Sequence, residues 1–294
     1  MTIGIAMYGS RPDQQPHIAR RADELGFDGL WFGEHIALPE AMGAEHPYST
    51  GRTTPAVISA DPRMYDIWTM IGAVICATKR VTVATGIYLL TLRHPLISAR
   101  AAITAQELAG GRFRFGVGAG WLASEFDAMG IPFADRAKRF DEILDLLPRF
   151  FAGESVEHHS AHYDFNRVAF VREPIRVPII MGGASRPALR RAALKGDGWV
   201  GSTFPLEENL RIREELEKYR REFGRGHLPF ERHHRIVETP IAKGIEKFRA
   251  AGLENLVITF DQIHPPTIKD RSTDAILKSL ERVANEIGRK PPAG

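Results

Sequence analysis

The chain has 294 residues, of which 44% are hydrophobic and 26% are charged, and this composition argues against disorder over most of its length. Its 39 basic and 36 acidic residues give a formal charge of +3 without a dense basic stripe, so no nucleic-acid partner is expected. No apolar run approaches the roughly 18 residues that span a bilayer, and the first residues lack the pattern of a signal peptide. We therefore expect a cytoplasmic protein with no membrane partner.

Short β-rich runs alternate with helical patterns, which is typical of parallel strands joined by crossover helices. The first strand covers residues 3–8, and a helix over residues 15–25 follows it and ends at Gly26. The second strand covers residues 29–33. Residues 36–63 are rich in Pro, Gly, Ser and Thr and are too long for a simple connection, so we predict a lid or substrate loop there.

The rest of the chain continues this alternation. Further helices are predicted over residues 64–78, 96–108, 136–151, 188–194 and 274–287, and strands over residues 81–88, 112–117, 178–181, 199–201, 235–237 and 256–260. Residues 156–171 alternate like a β-hairpin outside the repeat. A helical pattern separates each of the later strands except the last pair. The single cysteine, Cys76, lies in an apolar helical stretch, where a buried structural thiol is expected.

Eight strands with crossover helices predict a single (β/α)8 TIM barrel over residues 1–290, followed by a polar tail at residues 291–294. The alternative, an open doubly wound sheet, normally shows fewer strands or a second domain at this length. Polar residues directly after each strand of such a barrel line the active-site mouth, so they are the candidates for function.

Glu34 and His35 follow the second strand. A histidine there either moves a proton near neutral pH or is held by the local backbone. The third strand contains Thr85, Gly86 and Ile87, and a glycine inside a strand marks either the approach of a ligand or a kink needed for packing.

The fourth strand runs into glycines at alternate positions, Gly116, Gly118 and Gly120, followed by Trp121 and, four residues later, Glu125. Such a run lets a planar ring approach the main chain, with the tryptophan stacked beside it, or it is a turn without a ligand. It does not match the dinucleotide fingerprint, because its third glycine comes one position early.

The fifth strand runs into a glycine pair that precedes a helix, which is typical of a phosphate site; the alternative is an ordinary capped helix. The residues concerned are Gly182, Gly183, Ser185 and Arg186. Trp199 and Phe204, in and after the sixth strand, line the mouth or pack in the core.

Several other chemistries lack their signals. No His-x-His follows the first strand, no lysine sits at a strand's carboxyl end, and no nucleophile elbow or phosphate-binding loop is present. The histidines of residues 158–162 suggest zinc, but their place in the hairpin favours a solvated turn, so no metal is predicted.

Three segments together resemble the bacterial luciferase-like oxidoreductase superfamily: residues 22–35 (ADELGFDGLWFGEH), residues 110–121 (GGRFRFGVGAGW) and residues 180–185 (IMGGAS). Residues 118–122 (GAGWL), followed by Glu125-Phe126 and residues 130–133 (GIPF), resemble the branch that depends on the deazaflavin coenzyme F420. Related barrels use FMN.

The resemblance implies a ring at the barrel mouth and hydride transfer to or from a small organic substrate. Members of this superfamily are often homodimers, and the oligomeric state stays open at this point. His35 is the implied catalytic residue, with Glu34 or Glu125 assisting, and the Gly86–Ile87 peptide is implied to be cis. The implied cofactor-binding residues are Thr85, Gly86, Ile87, Gly118, Ala119, Gly120, Trp121, Gly182, Gly183, Ser185 and Arg186, and the implied substrate pocket is formed by Tyr48, Tyr88, Trp199 and Phe204.

Three alternatives remain open at this point. One is an FMN-dependent monooxygenase that uses oxygen in a dry pocket. The second is a non-catalytic flavin-binding protein on the same barrel. The third is a metal-assisted or phosphate-substrate barrel enzyme whose glycine pair binds the phosphate of the substrate itself.

Overall fold

A computed structural model describes residues 1–38 and 65–289 of the chain. Most of the predicted loop at residues 36–63, Tyr48 within it, and the tail at residues 291–294 lie outside the described residues.

Eight parallel strands close into a barrel, which confirms the predicted (β/α)8 architecture. They are β1 (Thr2–Ala6), β2 (Gly29–Phe32), β3 (Thr82–Thr85), β5 (Phe113–Gly118), β8 (Ile179–Gly182), β9 (Gly198–Thr203), β10 (Glu231–Arg235) and β11 (Asn255–Thr259). Pairing of β1 with β11 and of β3 with β5 completes the ring, for example with Ile3 opposite Leu256 and Val83 opposite Phe113.

The barrel strands other than β10 are mostly buried on both faces, and alternate residues serve two different cores. Ile3 and Ile5 pack outward in the large cluster that the helices share. Ala6, Trp31 and Ala84 belong to a small cluster of residues from six strands that fills the barrel interior.

The helices surround the barrel. They are α1 (Gln15–Glu24), α2 (Ile67–Ala77), α3 (Pro95–Leu108), α4 (Ala123–Ala128), α5 (Arg136–Phe151), α6 (Arg186–Lys195), α7 (Leu206–Glu222), α8 (Ile241–Ala250), α9 (Phe260–Ile263) and α10 (Thr273–Glu286). Some of them begin at a side-chain cap: Asp66 caps α2, His94 caps α3 ahead of Pro95, and Ser272 caps α10. Among the described residues, no helix is long and apolar enough to cross a membrane.

The third predicted strand is interrupted. β3 ends at Thr85, a cis peptide joins Gly86 to Ile87 as the family resemblance implies, and a short strand β4 (Tyr88–Leu89) follows. The predicted hairpin is confirmed as antiparallel β6 (Val156–His159) and β7 (Asp164–Val168).

Two sequence predictions near the end of the barrel were wrong. The seventh barrel strand, β10, begins four residues before the predicted start. The prediction missed this start because all five residues of the strand are charged or histidine and give no apolar signal. Helix α8 lies between the last two strands, where no clear helical pattern was found. Its Gly244 interrupts that pattern, and a Cβ there would lie 2.7 Å from the Cβ of Glu238.

The histidines of the hairpin surround one carboxylate of α5. His158 Nε2 lies 2.5 Å and His162 Nδ1 lies 2.8 Å from the two oxygens of Glu142, whose pKa is lowered by hydrogen bonds from Ser160 and these histidines despite an opposing effect of burial. No group of three potential ligands in the described ranges could hold a metal. Cys76 is exposed rather than buried, because it lies on the outer side of α2.

A cavity of about 230 Å³, lined by both charged and apolar residues, opens at the amino-terminal ends of the strands. Inside it, Glu231 pairs with Arg114 at 2.9 Å and with His233 at 3.0 Å. This end of a TIM barrel serves stability rather than catalysis, so the candidate site lies at the opposite end.

Candidate active site

A histidine and a buried carboxylate form the centre of the site. His35 follows β2, and its Nδ1 lies 3.0 Å from an oxygen of Glu125 in α4. The Glu125 side chain is 1% exposed, and its other oxygen accepts hydrogen bonds from the backbone N–H groups of Ile36 and Ala37. Because Glu125 accepts at Nδ1, it favours the tautomer in which Nδ1 carries the proton and Nε2 is free to exchange one.

The surroundings of His35 restrict its movement without burying it. Its side chain is 12% exposed, and the ring of Trp121 meets it edge to face with centroids 6.0 Å apart. Within the two described ranges, no residue forms a hydrogen bond with Nε2. This nitrogen is therefore the atom of the pair with capacity for proton transfer.

The neighbouring carboxylate, Glu34, which was predicted to assist His35, is paired with an arginine. The Glu34 side chain is 3% exposed, and it accepts hydrogen bonds from both terminal nitrogens of Arg93, at 2.8 and 2.7 Å, and from Leu89 N at 2.7 Å. Burial raises the pKa of Glu34, and Arg93 opposes that rise. Glu34 thus fixes the end of β2 against β4 and acts on the site through the position of His35.

Ile87 occupies the space beside the glycines that the sequence pattern predicts for a ligand. A Cβ on Gly118 would lie 2.0 Å from Ile87 Cδ1, and a Cβ on Gly182 would lie 2.8 Å from Ile87 Cγ2. A Cβ on Gly116 would lie 1.8 Å from the carbonyl oxygen of Thr85. The alternating glycines therefore make room for Ile87 and for the neighbouring strand.

The predicted phosphate turn opens a helix of ten residues. Gly183 has a φ of 102°, a conformation that favours glycine, and its carbonyl accepts a hydrogen bond of 2.8 Å from the indole of Trp199. Ser185 is the N-cap residue of α6, but its side chain makes no capping hydrogen bond to the helix, contrary to the sequence interpretation. Arg186 is the first residue of α6 and is exposed.

Three of the predicted site side chains are core residues instead. Thr85, Tyr88 and Trp199 are each 0% exposed. Thr85 donates a hydrogen bond of 2.6 Å to the carbonyl of Gly116, and the hydroxyl of Tyr88 lies 3.2 Å from that of Ser98. Trp199 and Tyr88 point outward from the barrel, into the large cluster shared with the helices. Phe204 is 5% exposed and also packs in this core.

Sequence reasoning missed three polar residues around the site. Arg93, which precedes the helix that begins at Pro95, forms the buried pair with Glu34. The hydroxyl of Tyr8 donates a hydrogen bond of 2.9 Å to the carbonyl of Gly86, and Arg235 donates another to the same carbonyl. Tyr8 closes the predicted first strand, so its position was a usable signal. Arg235 was missed because the sequence prediction placed it at the start of a strand, whereas it is the last residue of β10.

Fold and site together define a (β/α)8-barrel protein with a histidine–carboxylate pair at the carboxyl ends of its strands. The sequence matches the luciferase-like monooxygenase family over residues 3–235, and the chain belongs to that family. Uncharacterized protein Rv0940c of Mycobacterium tuberculosis is similar to it, with 27% identity over 271 residues, which are 92% of this chain and 93% of that protein.

Solved structures share the fold at low sequence identity. The coenzyme F420 dependent tetrahydromethanopterin reductase from Methanopyrus kandleri superposes with a TM-score of 0.71 at 16% identity, covering 95% of this chain and 97% of its own. The oxygenating constituent of 3,6-diketocamphane monooxygenase from Pseudomonas putida, in complex with FMN, has a TM-score of 0.64 at 16% identity, covering 99% and 90%.

Proposed function

We propose that this chain is an oxidoreductase that transfers a hydride between coenzyme F420 and a small organic substrate. The observation that carries the proposal is the pairing of His35 with Glu125, which leaves Nε2 of a partly exposed histidine for proton transfer beside the glycine-rich turn. The superposition on the F420 dependent reductase, which covers nearly the whole length of both chains, supports F420 as the coenzyme.

The residues present fit a ring cofactor with a phosphate. Gly118 and Gly182 have no side chains, and the side chain of Ile87 occupies the space beside both, so the three residues together form one wall of the mouth. The turn from Gly183 into α6 directs backbone N–H groups and the positive end of the helix dipole towards an anion, with Arg186 next to it. We assign the phosphate to this turn and the ring to the wall beside His35.

A bound deazaflavin supplies a carbon that accepts or gives a hydride without activating oxygen. Within this chain, His35 holds or delivers the accompanying proton at Nε2, and Glu125 stabilises the imidazolium while it is charged. Trp121 limits the access of water on one side of the imidazole. Glu34 and Arg93 keep the end of β2 in place.

The proposal is tested by His35→Ala and Glu125→Gln, with His159→Ala as the control because that histidine is 57% exposed and lies in the hairpin. We expect His35→Ala to lower kcat by about 10² to 10⁴-fold, the usual contribution of a general acid or base. Glu125→Gln should lower kcat as well, because the backbone N–H groups of Ile36 and Ala37 hold the amide oxygen, so the amide N–H donates to His35 Nδ1 and favours the other tautomer. The assay follows F420 absorbance with a panel of small alcohols and carbonyl compounds.

The affinity for F420 should stay within about threefold in His35→Ala, because the lost group acts on the proton rather than on binding. Turnover that is unchanged in His35→Ala, or lowered equally in His159→Ala, would contradict the role of His35.

A second candidate is an FMN-dependent monooxygenase, which the superposition on the FMN complex over 99% of the chain favours. In that case the same phosphate turn would bind FMN, and residues around the mouth would have to exclude water. A bound cofactor that no reductant or substrate turns over would indicate instead a non-catalytic binding protein.

A further inference from the structure

Arg235 is a cation in the barrel interior that the proposed chemistry does not use. It is the last residue of β10, and its guanidinium donates a hydrogen bond to the carbonyl of Gly86. Its Nε is buried without a hydrogen-bond partner, and no carboxylate of residues 1–38 or 65–289 pairs with it. The side chain is half-buried, and a charge held there with so few partners adds little to the free energy of unfolding, so stability alone is a poor reason for an arginine here.

The contact spans the whole barrel. Between β10 and β3 lie three strands in either direction around the ring, so the two strands are diametrically opposite. Arg235 therefore reaches across the interior to the residue that follows β3. A Cβ on Gly86 would lie 3.0 Å from both Arg235 Nη2 and Trp31 Cε3, so the guanidinium is packed closely against this residue.

A second donor reaches the same carbonyl from a third strand. Tyr8 follows β1, its hydroxyl donates to Gly86 O at 2.9 Å, and the guanidinium of Arg235 lies 5.6 Å from the centre of its ring. A Cβ on Gly33 would lie 2.0 Å from the Tyr8 hydroxyl. Tyr8 thus packs against the residue directly before Glu34 and His35.

Ile87 transmits the position of this carbonyl to the rest of the site. It is bonded to Gly86, and its side chain rests against Gly118 of β5 and Gly182 of β8. Gly118 begins the glycine-rich turn that precedes Trp121, and Gly182 begins the predicted phosphate turn. Any shift of the Gly86 carbonyl would therefore move both surfaces that the cofactor is proposed to contact.

We propose that Arg235 is a positioning residue which, with Tyr8, fixes the Gly86–Ile87 wall of the cofactor site from inside the barrel. This role rests on the proposed function, because that function places a cofactor against the Gly86–Ile87 wall. Arg235 itself touches neither substrate nor the reacting atoms.

The first test uses the protein without cofactor. The δ1-methyl signal of Ile87 is followed by NMR in Arg235→Met, Arg235→Lys and Tyr8→Phe, and it is assigned with Ile87→Val. We expect a clear shift in Arg235→Met, a smaller shift in Tyr8→Phe, and partial recovery in Arg235→Lys, which keeps a donor but loses the planar fork. Arg114→Met is the control, because it removes another interior cation, at the opposite end of the barrel.

The second test titrates the same variants with F420 and with FMN and follows ring fluorescence. For the cofactor that the wild type binds, Arg235→Met should raise Kd by about tenfold or more, a free-energy loss of about 1.4 kcal/mol. Arg235→Lys should recover part of that loss, and Arg114→Met should stay within about twofold of the wild type. Tyr8→Phe keeps the proposal testable if Arg235→Met does not fold.

The outcomes separate the two proposals. An Ile87 signal that does not move in Arg235→Met or Tyr8→Phe overturns the positioning role, whichever cofactor binds. Equal weakening in Arg235→Met and Arg114→Met also overturns it, because the effect is then general destabilisation. A wild type that binds neither cofactor overturns the proposed function, and with it the cofactor role of Arg235, even if the Ile87 signal moves.

Discussion

Removing Arg93 should destabilise the fold strongly, and more so at high pH. Arg93→Met takes away both guanidinium hydrogen bonds of Glu34, at 2.8 and 2.7 Å, and leaves one backbone donor, Leu89 N, at 2.7 Å. The Glu34 side chain is 3% exposed, so it cannot recover its hydration in the folded state. Breaking one side of a buried ion pair costs about 3–5 kcal/mol.

The sign of the pH dependence follows from the pKa. Burial already raises the pKa of Glu34 above its ordinary 4.5, and the loss of Arg93 removes the largest opposing effect. In Arg93→Met the folded state therefore binds more protons than the unfolded state above pH 4.5, and its stability falls as the pH rises by up to about 1.4 kcal/mol per pH unit. The deficit should be larger at pH 8 than at pH 5.

Urea unfolding of the wild type and variants at pH 5 and pH 8 measures this effect. The double variant Arg93→Met with Glu34→Gln has no buried charge, so its deficit should be smaller and nearly independent of pH. Arg149→Met breaks a pair with Glu154 whose side chains are 44% and 49% exposed, and it should cost less than about 1 kcal/mol. Equal losses in Arg93→Met and Arg149→Met, or a deficit that does not change with pH, would refute the reasoning.

Two further predictions concern packing and protonation. A Cβ on Gly118 would lie 2.0 Å from Ile87 Cδ1, so Gly118→Ala should cost about 1–3 kcal/mol in thermal or urea unfolding, and Ile87→Val should relieve most of that cost. Gly72→Ala is the control, because a Cβ there meets nothing within 4 Å and should stabilise α2; an equal loss at both glycines would count against the packing account. Burial lowers the pKa of His234 from 6.5 to about 3, so protonation of this side chain favours the unfolded chain. The free energy of unfolding should therefore fall as the pH drops from 6.5 towards 3, by up to about 1.4 kcal/mol per pH unit. His234→Gln should flatten the slope of unfolding free energy between pH 7 and pH 5, and identical slopes would contradict this.

The barrel could be predicted from the sequence because most of its strands are short apolar runs between helical patterns. β10 could not be placed, because its inward-facing residues Glu231, His233 and Arg235 are polar and the two residues between them are polar too. In such a strand neither face gives an apolar signal. The same misplacement concealed Arg235.

The site was predicted in part for a related reason. His35 and Glu125 were both identified from their positions after strands, and the structure brings them together at 3.0 Å. The inward or outward direction of Tyr88 and Trp199 could not be predicted, because strands buried on both faces show no alternation that distinguishes the two. The partner of Glu34 was missed since pairing across 59 residues leaves no local pattern.

The central claim is that this barrel binds a deazaflavin at the mouth beside His35. The most direct measurement is a titration of the purified, cofactor-free protein with oxidised coenzyme F420 and separately with FMN, following ring fluorescence. We predict tight binding of F420 and weak or no binding of FMN. Tight binding of FMN alone would contradict the hydride-transfer proposal in favour of a monooxygenase, and binding of neither would contradict a ring-cofactor function for this chain.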